Sequence, residues 1–338
     1  MKRAQLITQL LFVLFFAGAG AKAYSQDNNF HPGEIWNDVD GKPINAHGGG
    51  ILYDKGTYYW FGEIKSGKTV RVEEDKSWEN FRVNAGGISC YSSKDLVHWK
   101  FESIALKPEL HDSTSEIYTG KVVERPKVIY NAKTKQYVLW LHIDSRNYGF
   151  ARAGVAVSKT PQGPYKYIGA VRPNDAMSRD MTVYKDDDGR AYLISTSENN
   201  QTIHVNLLSD DYLKPTTTFT RIMVGQNREA PAVIKHNNKY YLVTSLCSGW
   251  DPNPARYATA DSILGEWTVQ GNPCVGADSA TTFQSQSAYI IPVQGTHKYI
   301  FVADRWKKTN LPDSRYIWLP LSFDGDKMKI EWMDKWHL

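Results

Sequence analysis

A strand–turn–strand unit recurs five times along this chain, and that repeat limits the fold more than any other feature. It reads Gly50-Ile-Leu-Tyr-Asp-Lys-Gly-Thr-Tyr-Tyr-Trp60 and returns from Pro126 to Trp140, Met181 to Ile194, Pro231 to Val243 and Ser287 to Phe301. Each copy is an apolar run, a turn, and a Tyr-bearing run. Short runs of β-branched and aromatic residues bounded by turn residues form strands. The aligned tyrosines, Tyr59, Tyr137, Tyr192, Tyr241 and Tyr299, lie 78, 55, 49 and 58 residues apart. A four-stranded propeller blade of about 40–50 residues plus loops fits that spacing. Segments ending at Trp99 and Trp267 are expected to close the outer edges of blades. The expectation is an all-β, five-bladed β-propeller in a single domain from about residue 30 to 338, since no Pro- or Ser-rich linker divides the chain.

Residues 1–23 read differently. Lys2 and Arg3 precede an apolar stretch from Leu6 to Phe16, and Ala21-Lys22-Ala23 is a small-residue cleavage pattern. This is the signature of a secretory signal peptide. An exported, soluble protein, periplasmic or extracellular, is expected. Removing Lys2, Arg3 and Lys22 takes the formal charge from +4 to +1. With no basic run of five, nucleic acid and membrane surfaces are not expected partners. A monomer is expected. Cys90, Cys247 and Cys274 allow at most one disulfide, with Cys247–Cys274 the candidate pair. No CxxC or HExxH pattern occurs, so no metal ligands are assigned.

In a propeller the innermost strand of each blade faces the axis, so residues that open those strands meet in one pit. The openings read Asn45-Ala-His47-Gly-Gly-Gly50, Val123-Glu124-Arg-Pro, Ser178-Arg-Asp180-Met, Asn227-Arg-Glu229-Ala-Pro and Phe283-Gln284-Ser-Gln286-Ser. Three carboxylates, a histidine and an amide are thereby brought together. Gathering carboxylates raises desolvation and repulsion terms that are tolerated where chemistry needs them. Glycoside hydrolysis needs such a set: a protonated acid for the leaving oxygen and a group that places water on the opposite face.

The repeat and these strand-start acids resemble glycoside hydrolase family 43, a family of inverting five-bladed propeller enzymes. In that family blade 1 opens with an Asp general base. Here the position falls at His47 or Gly48. That departure, with Glu124-Arg-Pro-Lys-Val-Ile-Tyr-Asn, Ser285-Gln-Ser287, Asp304-Arg-Trp306 and the run from Asp313 to Leu321, resembles the subfamily 24 exo-β-1,3-galactanases. The resemblance implies release of galactose from the β-1,3-galactan backbone of type II arabinogalactan. It implies Glu229 as general acid, Asp180 as the neighbour that raises its pKa, and Gln286 as the stand-in for the base. Glu124 and Tyr148 match sugar-contacting positions. Gln284 and His47 are the other candidates for placing the water, and His47 also reads as a wall of the pit. Trp250 and Trp306, expected in loops after inner strands, are candidates for sugar stacking, and Glu63 for lining the pit. The alternatives are an α-L-arabinofuranosidase or β-xylosidase of the same fold, or a propeller that only binds glycan. No cofactor is expected. A structural calcium at Asp186-Asp-Asp-Gly189 is the weaker reading, a hairpin turn the stronger.

Overall fold

Each repeat unit pairs with itself before it pairs with anything else. In the computed structural model, which describes residues 27–72 and 79–338, the five units are antiparallel hairpins. The expected leader lies outside the described residues. The innermost strands are His47–Asp54, Val122–Asn131, Met181–Lys185, Arg228–His236 and Gln286–Pro292. Their partners are Thr57–Lys65, Gln136–Asp144, Ala191–Ser197, Lys239–Leu246 and Tyr299–Arg305, and each partner carries its aligned tyrosine. Two further strands complete each sheet, giving five blades of consecutive strands. Blade 5 gains an extra outer strand, Cys274–Val275, parallel to Lys327–Glu331. Among the described residues only three single-turn 3₁₀ segments are helical.

Inner and second strands are buried on both faces, so they read as near-continuous apolar runs. The outer strands, such as Pro215–Ile222, mix exposed and half-buried residues. Trp99 and Trp267 sit just before the outer strands of blades 1 and 4. Each indole N–H donates back into the preceding turn, to the Leu96 and Ile263 carbonyls at 2.9 and 3.1 Å. Apolar side chains pack blade against blade, and the largest cluster joins blades 5 and 1 through Trp60, Trp99, Trp318 and Trp336.

A shared irregularity positions the site. The inner-strand register slips between His47 and Gly50, Glu124 and Lys127, Glu229 and Ala232, and Ser287 and Tyr289. These are β-bulges, which re-aim a side chain at the end of a strand. Gly48, Arg125 and Ala230 have positive φ of 58°, 56° and 54°. In blades 2 and 4 the bulge is written Glu-x-Pro, and the proline lacks the N–H that an unbroken ladder would use.

Two expectations are corrected. Cys247 and Cys274 are free, because Cys247 lies beyond the pit end of blade 4 while Cys274 is buried at the outer edge of blade 5. Trp250 and Trp306 follow second strands rather than inner strands. Asp186-Asp-Asp-Gly189 is a turn, closed by Asp186 N–H to the Arg190 carbonyl at 2.8 Å. The buried Asp186 carboxylate is taken by Lys235 at 3.1 Å and by the Tyr240 hydroxyl.

Candidate active site

At the pit end of each hairpin a residue at the start of the inner strand faces a residue of the second strand. His47 lies opposite Glu63, Glu124 opposite His142, Glu229 opposite Ser245 and Gln286 opposite Asp304. Asp180 lies opposite Thr196, whose N–H donates to the Asp180 backbone carbonyl at 2.9 Å. The five openings thus build an inner ring, and their partners build a second ring behind it.

A pit of about 630 Å³ opens on the axis, lined by Glu124, Arg125, His142, Tyr148, Arg179, Asp180, Asn200, Glu229, Cys247, Trp250 and Gln286 among others. That volume lies within the range of about 300–1,000 Å³ of small-ligand pockets. Glu229 Oε1 accepts from Gln286 Nε2 at 2.9 Å, and Oε2 accepts from Asn200 Nδ2 at 3.4 Å. Burial and the nearby Asp180 carboxylate, partly offset by Arg125, push the Glu229 pKa up to about 8. The group therefore carries its proton at neutral pH.

Arg125 ties the ring together. Its Nη2 lies 2.7 Å from Asp180 Oδ2 and donates to Gln286 Oε1 at 2.5 Å, while Nη1 donates to the Ser287 carbonyl at 3.0 Å. Trp306 Nε1 also donates to Gln286 Oε1, at 3.0 Å, and Gln286 Nε2 donates to Ser245 Oγ at 3.1 Å. Arg and Trp can only donate, so the amide orientation follows from its neighbours. All four hydrogen-bonding positions of Gln286 are filled. The sequence reading had Gln286 holding water across the glycosidic bond from Glu229, whereas here the two touch.

Glu124 and Tyr148 share one wall. The Tyr148 hydroxyl lies 3.4 Å from both Glu124 oxygens. Burial pushes the Glu124 pKa up, but Lys65, Arg82, His142 and Arg125 outweigh it and hold the group below the usual range. Trp250 lines the pit and meets Trp306 edge to face at 5.2 Å, beside a smaller hollow of about 140 Å³ that also takes in Gln284. Lys65 Nζ lies 5.6 and 5.7 Å from the two indoles.

Two expected residues stand behind the pit. His47 is 2% exposed, is hydrogen-bonded through Nδ1 to Asp304 Oδ1 at 2.9 Å, and stacks on Tyr316 at 4.8 Å. It is wall rather than pit lining. Glu63 is buried beneath the floor, where it accepts the Arg125 N–H at 2.9 Å and pairs with Lys65 at 2.6 Å. Glu124, His142 and Asp180 each bring a ligand-type atom within 4.8 Å of the others, a grouping that could suit a divalent cation. Arg125 on Asp180, and Lys65 and Arg82 at 3.6 and 3.8 Å from Glu124, already supply positive charge there.

Sequence reasoning missed Arg125, His142, Arg179, Asn200 and Cys247. Arg125 is turned inward by the bulge, and the repeated Glu-x-Pro was the available signal. His142 follows from register, as the cross-strand partner of Glu124. Asn200 and Cys247 come from loops with no repeat signal.

The family model described as glycosyl hydrolases family 43 matches residues 46–308. The chain belongs to glycoside hydrolase family 43. The family 43 enzyme is 42% identical to a β-1,3-galactosidase solved with galactodeoxynojirimycin, over 91% of this chain and 100% of that one, with a TM-score of 0.83. It is 40% identical to an exo-β-1,3-galactanase from Phanerochaete chrysosporium solved with β-1,3-galactotriose, over 92% of this chain and 68% of that one, TM-score 0.83. An exo-β-1,3-galactanase from Clostridium thermocellum is 38% identical over 91% and 66%, TM-score 0.79. Among curated proteins, none matches this chain.

Proposed function

We propose that this family 43 enzyme is an exported, exo-acting, inverting β-1,3-galactosidase that removes galactose from the end of the β-1,3-galactan backbone of type II arabinogalactan. One observation carries the reading. A buried glutamic acid, Glu229, keeps its proton at neutral pH beside Asp180 and Gln286 in a pit, in a chain about 40% identical to solved β-1,3-galactanases. A pit, unlike an open groove, suits a chain end.

In this mechanism Glu229 protonates the glycosidic oxygen as the bond to the anomeric carbon breaks. Asp180, paired with Arg125 at 2.7 Å, lies beside the acid and keeps its proton in place. Sugar binding takes Glu229 from Gln286, and the freed amide N–H orients the attacking water. Gln286 is not the proton acceptor, since its oxygen is held by Arg125 and Trp306; the water loses its proton to solvent water in the open pit as its oxygen bonds to the anomeric carbon. Glu124 and Tyr148 contact the sugar from the opposite wall.

The test is incubation with β-1,3-galactan, and separately with nitrophenyl arabinofuranoside and xyloside, followed by proton NMR of the fresh product. Release of α-galactose from the galactan alone is expected, because inversion converts a β linkage to an α product. Release of β-galactose would contradict inversion. Cleavage of only the arabinoside or xyloside would contradict the substrate, and no product from any would leave a glycan-binding propeller.

A further inference from the structure

The second ring offers five polar side chains to the pit floor, and four of them are spoken for. Glu63 accepts from the Arg125 backbone and pairs with Lys65. Thr196 Oγ1 donates to the Arg228 carbonyl at 3.2 Å. Ser245 accepts from Gln286, and Asp304 holds His47 and the Gly48 N–H. His142 is the exception. It lines the pit at 1% exposure, yet its Nδ1 is buried with no hydrogen-bond partner.

The ring is not free to turn and find one. Nε2 lies 3.0 Å from Asp144 Oδ2. Asp144 Oδ1 accepts three backbone N–H groups, from Ser145, Phe150 and Ala151, each at 2.8 Å. A carboxylate so placed only accepts, so Nε2 carries a proton and the ring is locked. Nδ1 is left facing Glu124 Oε2 at 3.7 Å. That gap is too long for a direct hydrogen bond. One oxygen seated between the two atoms and toward the pit would reach both. A sugar hydroxyl has one hydrogen to give and lone pairs to accept with, so it donates to the carboxylate and accepts from Nδ1–H.

We infer that His142 Nδ1 is a further substrate-contacting group, which with Glu124 grips one hydroxyl of the sugar bound in the pit. The inference rests on the galactosidase reading and adds to it a specificity element: a sugar that lacks or inverts that hydroxyl leaves two buried polar groups unpaired. Sites built in this way reject the analogue without the hydroxyl far more strongly than apolar pockets reject a missing methylene.

The experiment measures kcat/KM on β-1,3-galactobiose and on analogues that each lack one hydroxyl of the terminal ring. Wild type is compared with His142→Gln, which reaches Asp144 but not the pit, and with His142→Asn, which presents its amide near the Nδ1 position. Thermal melts accompany each. The wild type should lose about tenfold to a hundredfold with one analogue. His142→Gln should show part of that loss already and a clearly smaller further loss with the same analogue, the remainder being the Glu124 contact, while His142→Asn recovers part of it. Such non-additivity marks a direct interaction. A His142→Gln enzyme equal to wild type, or one that loses additively with every analogue, overturns the inference. So does Zn²⁺ or Ca²⁺ binding to the ligand-free wild type that His142→Gln abolishes, since the gap would then be a metal position. Failure of the wild type to cleave β-1,3-galactobiose at all would remove the galactosidase reading itself.

Discussion

Glu229 owes its proton to where it sits. Burial disfavours its carboxylate and Asp180 repels a second charge, while Arg125 offsets only part of this. Replacing Asp180 with Asn removes the repulsion and leaves Arg125 unopposed. The Glu229 pKa should then fall, and the alkaline limb of the kcat/KM profile should move to lower pH from its wild-type position near pH 8. An unmoved limb would show that Asp180 does not tune the acid. Gln286 makes a separate case. Its oxygen is held by Arg125 and Trp306 and its nitrogen by Glu229 and Ser245. Gln286→Ala should cut turnover by about 10² or more, the scale on which misplacing a reacting group by about 1 Å is felt. An unchanged rate would mean that the amide only braces the ligand-free acid.

What brings these residues together is the bulge that opens the inner strands of four blades. A Cβ at Gly48, which has a φ of 58°, would meet Glu63 Oε1 at 2.2 Å. Gly48→Ala should therefore displace Glu63 from the Arg125 N–H and destabilise the fold by about 1–3 kcal/mol. Thermal melts and activity at low temperature would separate strain from damage to the pit, and an unchanged melt would show that the bulge tolerates a side chain. The strands, their pairing and the inner ring were legible in the sequence because the apolar–turn–Tyr unit repeats and repetition fixes equivalence. Glu124, Asp180, Glu229 and Gln286 could be aligned from that alone. The bulges were not legible as such: a one-residue slip leaves the apolar pattern almost unchanged while turning Arg125 into the pit. His47 read both as a candidate for placing the water and as a wall of the pit; the wall reading holds, and what decides it, the pull of Asp304 and Tyr316 on the ring, is not visible in register. Asn200 and Cys247 lie in loops that no repeat aligns.

At the scale of the molecule, the ring closes between blades 5 and 1 by aromatic packing rather than by exchange of a strand. Phe30 stacks on Trp336 at 4.2 Å, their backbones form an antiparallel bridge, and Trp60 meets Trp318 at 4.8 Å. Trp336→Ala should lower stability by about 3–5 kcal/mol, as expected for deleting a large buried aromatic. A melting temperature within error of wild type would show that the closure does not depend on it. Closure also governs chemistry, since a ring that opened would admit water to the floor of the pit and return Glu229 to an ordinary carboxylate. Raising this pKa has a thermodynamic sign as well. The stability linked to the bound proton is fully present below the unfolded-state value of about 4.5 and is lost as pH rises through about 8. Everything claimed for the site turns on that proton, and it can be observed directly. A ¹³C NMR titration of labelled Glu side chains, assigned by the signal missing from Glu229→Gln, should show the Glu229 carboxyl protonated at pH 6 and titrating near pH 8. A carboxylate already ionised at pH 6 would contradict the account.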